Sequence, residues 1–130
     1  MKHTAIAYIT ALLAMAALDA LWLGLIAKPL YQQGIGHLMA EQPNLAAAAL
    51  FYLLFPAGLL FFAVLPERNW TTTLTAAALF GFFTYATYDL SNLATLKAWP
   101  IGLAAIDIAW GCLIATASAA AAKAVLGSVR

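Results

Sequence analysis

The stretch Thr4-Ala5-Ile6-Ala7-Tyr8-Ile9-Thr10-Ala11-Leu12-Leu13-Ala14-Met15-Ala16-Ala17-Leu18-Asp19-Ala20-Leu21-Trp22-Leu23-Gly24-Leu25-Ile26-Ala27 decides how the rest of the chain is read. It is apolar around its whole helical circumference, so it has no polar face to turn toward water. It exceeds the about 20 residues needed to cross a hydrocarbon core of about 30 Å. Lys2 in front and small residues at Ala17 and Ala20 imitate a signal peptide. The apolar run is nonetheless longer than the usual h-region of about 7–15 residues, and a retained span is expected. One ionisable group, Asp19, interrupts it.

Three further runs repeat the pattern: Leu45–Leu65, Thr71–Leu96 and Pro100–Ala122. Of the 130 residues, 65% are hydrophobic and 8% charged, against about 45–50% and about 25% in soluble domains. A chain this small cannot hide that surface from water, so its solvent is lipid. The expectation is an all-α membrane protein with one domain over residues 1–130. Four transmembrane helices, about 4–27, 45–65, 71–96 and 100–122, form a bundle, with a short interfacial helix between spans one and two. A net charge of +1 without a clustered basic patch argues against nucleic acid as a partner. The single Cys112 cannot form an internal disulfide.

Pro66–Trp70 and Lys97–Trp99 are too short to do anything but reverse the chain, which makes spans two, three and four antiparallel neighbours. Lys2, Arg68, Lys123 and Arg130 then fall on side A of the membrane, and Lys28 and Lys97 on side B. The bias puts side A, with both termini, in the cytoplasm. In the long connection, Tyr31, Ile35, Leu38 and Met39 recur at helical spacing, which predicts an interfacial helix over about 30–40 with Tyr31, Ile35 and Leu38 on its apolar side. Pro56 removes a backbone donor near the middle of span two and is expected to bend it.

Chemistry concentrates in three aspartates. Asp19 lies nine residues before Lys28, Asp89 eight before Lys97, and Asp107 ten after Lys97. At about 1.5 Å per residue, all three sit roughly 12–15 Å from side B. Tyr52 falls at the same level on span two. An aspartate at a helix centre costs about 2.5–3.5 kcal/mol to insert and faces the bundle interior or a cavity. The bland alternative is interhelical packing, where such polar groups contribute about 0.6 kcal/mol on average. Three acids at one depth tilt the balance toward one shared site of ligand- or proton-binding residues: Asp19, Asp89 and Asp107, oriented by Asn92, Tyr85 and Tyr52, with Trp110 one turn from Asp107. No basic residue shares that depth, so the site calls for a proton, a cation, or a cationic or hydroxylated ligand. The run from Thr84 to Thr95 is so polar that span three is expected to be the central, most enclosed helix.

Asp19-x-x-Trp22 and Asp107-x-x-Trp110 look alike, but their helices run in opposite directions, and the likeness reads as coincidence or convergent packing. Trp22, Trp70 and Trp99, near span ends, read as an interfacial aromatic belt. His3 and His37 lie near opposite faces and cannot share a metal, so no metal and no cofactor is expected. Neither a Gly-rich phosphate loop nor a Gly-x-Ser-x-Gly elbow is present.

The stretches Leu18-Asp19-Ala20-Leu21-Trp22-Leu23-Gly24, Leu50-Phe51-Tyr52-Leu53-Leu54, Thr84 through Leu96, Trp99-Pro100 and Asp107-Ile108-Ala109-Trp110-Gly111 resemble the bacterial predicted membrane proteins catalogued as domain of unknown function 2177. Tyr88-Asp89-Leu90-Ser91-Asn92-Leu93-Ala94-Thr95 is the most specific part. The resemblance spans nearly the whole chain. It implies four spans in a bacterial inner membrane and no particular activity.

Three functions fit these residues. The first is a membrane protein that binds a lipid-like or cationic small molecule at the aspartate cluster, with or without acid–base chemistry, under the interfacial helix as a lid. The second is a proton-coupled transporter, most naturally a homo-oligomer. The third is a structural subunit whose only partners are membrane lipid and other helices, the Ala-rich Ala115–Ala124 end allowing close helix contact.

Overall fold

A computed structural model describes all 130 residues. The chain is helical throughout, with no strand. Helix α1 (Lys2–Leu21) runs on as a π-helical turn, Trp22–Ile26. Helix α2 (Lys28–Ile35) begins at once, with Pro29 in its first turn where a missing N–H costs nothing. A single 3₁₀ turn, Gly36–Leu38, ends it. Helix α3 (Leu45–Leu59) closes in a second π-helical turn, Leu60–Val64. Helices α4 (Trp70–Thr95) and α5 (Ile101–Val129) complete the bundle.

The starts of α3 and α4 are fixed by sequence. Asn44 accepts from the Ala47 N–H at 3.1 Å, and Asn69 from the Thr72 N–H at 2.8 Å, each satisfying a donor the helix cannot. The reversal before α5 is tight enough to place Ala98 at φ 60°. Three helical stretches, Lys2–Ile26, Leu45–Val64 and Ile101–Val129, are long and apolar enough to cross a membrane. Large apolar side chains such as Leu13, Leu54, Phe83 and Leu113 face outward, as expected where the surroundings are lipid.

Helix α5, not α4, is the central helix. Eleven of its residues are buried, against five on α4, and it packs on α4, α1 and α2. The expectation for α4 fails for a definable reason. Its hydroxyls bond to its own backbone: Thr84 to Phe80 O, Thr87 to Phe83 O, Ser91 to Thr87 O and Thr95 to Ser91 O, at 2.6–2.8 Å. Such back-bonding removes the need for an enclosing partner. Small residues set the closest approach. A Cβ on Gly81 would run into the backbone oxygen of Gly111, and one on Gly111 into the Tyr85 ring. Ala7, Ala11 and Met15 of α1, with Ala115, Ala119 and Ala122 of α5, are fully buried in the same core.

The loop helix is shorter than expected, because Gly34 and Gly36 bring it to an end at Ile35. Gly34 sits where a Cβ would lie 3.1 Å from both Pro100 and Leu103, so α2 folds back onto the start of α5. Helix α3 continues unbroken through Pro56, and the irregularity comes later, as the π-turn at Leu60–Val64. Arg68 donates to the Phe62 carbonyl there at 2.7 Å. Lys123 donates to Arg68 O at 2.7 Å and Arg130 pairs with Glu67 at 3.2 Å, so the Pro66–Asn69 turn and the end of α5 meet at one end of the bundle.

Candidate functional site

The three aspartates are all buried, at 5%, 1% and 7% exposure for Asp19, Asp89 and Asp107. Asp19 and Asp107 are joined through hydrogen bonds and a stacked indole pair, Asp89 makes no hydrogen bond, and the three do not meet at a single point. No group of three acids converges closely enough to hold an ion. One centre forms at Asp19 and the other at Asp107 and Asp89.

At the first centre, Tyr52 of α3 donates its hydroxyl to Asp19 Oδ2 at 2.8 Å, and Trp110 of α5 donates Nε1–H to Oδ1 at 2.9 Å. Each carboxylate oxygen thus has one donor, the arrangement that lets a charged group persist away from water. At the second, Tyr31 of α2 donates to Asp107 Oδ1 at 2.5 Å and accepts from Trp22 Nε1–H at 3.3 Å. Burial, followed by the bond to Asp107, pushes the Tyr31 hydroxyl above the ordinary tyrosine value. It therefore stays a donor at any pH a cell meets. Asp89 lies beside Asp107 and the Trp99 indole, yet neither of its oxygens, nor Trp99 Nε1, has a hydrogen-bond partner.

The indoles join the two centres. Trp22 and Trp110 stack with centroids 4.6 Å apart. The two Asp-x-x-Trp segments are thus packed against each other. The tryptophan that comes after Asp107 in sequence serves Asp19, and the one that comes after Asp19 serves Asp107 through Tyr31. Antiparallel helices with the same i, i+3 spacing make this exchange possible.

Of the expected residues, Asp19, Tyr52 and Trp110 are bonded to one another, and Asp107 is bonded to Tyr31. Tyr85 lies within electrostatic range of Asp19 and Asp107, held over Gly111, without bonding to either. Asn92 makes no side-chain hydrogen bond, and its carbonyl accepts from Leu96 N–H in the last turn of α4. The expectation that Tyr85 and Asn92 orient the aspartates by hydrogen bonds is thus not met. Sequence reasoning misses Trp22, Tyr31 and Trp99. The interfacial belt accounts equally well for the two indoles, and the apolar side of the loop helix for Tyr31. The i, i+3 pairing of Asp19 with Trp22 is the available signal.

A groove of about 570 Å³ runs between α1, α2 and α3. Leu12, Ala16, Leu23 and Met39 line its apolar length, and Asp19, Tyr31, Tyr52, Lys28 and Gln32 supply its polar groups. A second hollow of about 380 Å³, with Phe51, Phe55, Thr84, Tyr85 and Tyr88 around it, lies between α3 and α4. Helix α4, packed chiefly on α5, meets the α3 segment mainly at the π-turn that ends it, and aromatic rings bridge the wider part, Phe55 to Phe80 at 5.1 Å and to Tyr85 at 6.1 Å.

No curated protein and no solved structure matches the chain. The model of a family described as predicted membrane proteins, domain of unknown function 2177, matches residues 4–124. The chain, a helical membrane protein whose carboxylates are tied together by tryptophan and tyrosine, belongs to that family.

Proposed function

We propose that the protein binds an amphiphile with a cationic or hydroxylated head, which enters sideways from the lipid into the α1–α2–α3 groove and places its head at Asp19. The observation that carries this reading is the groove itself. Its volume lies within the about 300–1,000 Å³ of small-molecule sites, and such sites pair apolar walls with a few convergent polar groups. Asp19 carries two donors and a carboxylate offers about four acceptor positions, so room for a ligand's N–H or O–H remains. Tyr31 and Tyr52 would orient the head, and α2 would lie over it as an interfacial lid. Trp110 would hold Asp19 in place and Asp107 would hold Tyr31, with Tyr85, Asp89 and Asn92 outside the groove on α4.

The reading includes four spans and not three. Helix α4 has 26 residues, about 39 Å of helix. It runs alongside α5, carries outward Leu79 and Phe83, and keeps its hydroxyls on its own backbone. A chain alternating in direction across four spans puts both termini on the side of Arg68, Lys123 and Arg130, which by charge is the cytoplasmic side of a bacterial inner membrane.

Proton-coupled transport is the second reading, favoured by one feature, the Asp89 carboxyl buried beside Asp107 with no donor on either oxygen. Such a pair needs a proton or a cation between its members.

Native mass spectrometry of the purified protein with a monoacylglycerol, an alkylamine and a fatty-acid methyl ester of equal chain length tests the binding reading. Retention of the first two over the donor-less ester, lost in Asp19→Asn, is expected. Equal retention of all three, or no change in Asp19→Asn, refutes it.

A further inference from the structure

At the bundle end opposite the lid, the geometry points to a second site, for the headgroup of an anionic phospholipid. A hollow of about 290 Å³ opens there between the end of α5 and the turn leading into α4. Arg68, Lys123 and Arg130 border it, with Glu67 as the single acid among the lining residues. The cations have donors to spare. Lys123 uses one N–H on Arg68 O, out of three. Arg68 commits Nη2 to the Phe62 and Ala63 carbonyls and keeps the rest of its fork. Arg130 meets Glu67 in a pair whose side chains are 43% and 77% exposed, where ion pairs are weak and easily exchanged. The positive end of α4 opens at the same place. Its Asn69 cap takes the Thr72 and Thr73 N–H groups, and the amides of Trp70 and Thr71 have no partner within the helix.

A lipid fits better than a free phosphate. Lys123 Nζ sits 5.4 Å from the centroid of Trp70, an indole that is 47% exposed at the level where tryptophan meets headgroups. Leu126 and Val64 supply apolar wall beside the cations, suited to the glycerol and first acyl carbons. Basic hollows between helices at the membrane surface hold acidic headgroups on the same principle. The site is independent of the aspartates, being built from other residues at the other end of the bundle.

The test is native mass spectrometry of the protein in detergent, with equal amounts of dioleoyl phosphatidylglycerol and dioleoyl phosphatidylcholine, repeated with inorganic phosphate as competitor. Phosphatidylglycerol should be retained over phosphatidylcholine. Lys123→Gln keeps a donor to Arg68 O while removing charge, and Arg130→Gln gives up only an exposed pair with Glu67 at the helix end, so folding is not at stake in the second. Each should lower phosphatidylglycerol retention about fivefold, the worth of one surface cation near an anionic lipid, and leave phosphatidylcholine unchanged. Unchanged phosphatidylglycerol retention in both variants, or equal retention of the two lipids, overturns the site. Complete displacement of phosphatidylglycerol by inorganic phosphate overturns its assignment to lipid.

Discussion

Trp22 and Trp110 lie face to face, 4.6 Å between ring centroids and 7° from parallel, and each sends its indole N–H to a different arm of the acidic network. The stack holds α5 against the end of α1 at the depth where both helices carry an aspartate. It also gives a reason for the π-turn to begin at Trp22. A π-turn changes the rotation of the residues after it and is frequent at functional sites. Here it precedes α2, whose Tyr31 reaches Asp107.

The two bonds differ in what they satisfy. Trp110 donates to a buried carboxylate at 2.9 Å, whereas Trp22 donates to a tyrosine hydroxyl at the longer 3.3 Å. Hydrogen bonds to charged groups contribute about 1.5–3 kcal/mol and neutral ones about 0.5–1.5 kcal/mol. Trp110→Phe should therefore lower stability more than Trp22→Phe, both retaining an aromatic partner for the stack. Thermal unfolding in detergent measures this, and a larger loss for Trp22→Phe would contradict the assignment of donors.

Much of this is legible in the sequence, and the failures are specific. Hydropathy locates the long helices closely, except that α5 runs on to Val129, because Lys123 marks a boundary in hydropathy while the helix carries that lysine on past the core. Distance from Lys28 and Lys97 puts Asp19, Asp89 and Asp107 at one level, and distance from Asn44 puts Tyr52 there too; depth along a straight helix is a one-dimensional quantity that spacing can give. Rotation is not. The π-turn at Trp22 redirects the residues beyond it, and Tyr31 reaches the site from a connection whose path no periodicity encodes. The centrality of α5 is obscured because Gly111, Ala115 and Ala119 advertise close approach without saying to which neighbour.

Close approach at Gly81 and Gly111 makes a paired prediction. A methyl on Gly111 meets a side chain, the Tyr85 ring, while one on Gly81 meets backbone, the Gly111 oxygen. Overpacking of this kind costs about 1–3 kcal/mol. Gly111→Ala should be partly rescued by Tyr85→Ala, and Gly81→Ala should not. Equal rescue of both in thermal unfolding would show that the α4–α5 contact is not set by these atoms.

The tether from Tyr31 to Asp107 should govern how firmly α2 is seated. Tyr31→Phe removes the bond without changing ring volume, so amide hydrogen exchange over residues 28–38 should quicken at neutral pH. In the parent protein, burial and Asp107 raise the Tyr31 hydroxyl above its unfolded value of 10.0. The stabilisation is therefore complete below that pH and is lost as pH rises through the folded value. Protection in the parent that holds to neutral pH and fails only under strongly alkaline conditions is the expected profile. No difference between parent and variant at neutral pH would mean that α2 is held by Pro100 and Leu103 alone.

Topology can be read from accessibility. In a Cys112→Ser background, a cysteine at Ser128 should react with membrane-impermeant thiol reagent only after the cell membrane is breached, and one at Gln42 should react in intact cells. The reverse pattern, or labelling of both in intact cells, would dispose of four alternating spans with cytoplasmic termini.

Asp89 supplies the sharpest separation of function from stability. It is 1% exposed, and neither of its oxygens receives a hydrogen bond. A polar group buried without a partner destabilises by about 1–3 kcal/mol, so Asp89 detracts from the fold that contains it. Asp19 is the opposite case, with a donor on each oxygen. Asp89→Asn should leave thermal stability in detergent unchanged or raise it, and Asp19→Asn should lower it by about 1–2 kcal/mol through loss of the charge that strengthens both bonds. If the Asp89–Asp107 pair holds a proton or cation that the protein uses, Asp89→Asn should also abolish ligand- or proton-coupled activity while membrane insertion stays intact. A variant at Asp89 that is both destabilised and fully active would reverse both halves of the argument, making Asp89 a packing residue with partners formed only in the membrane.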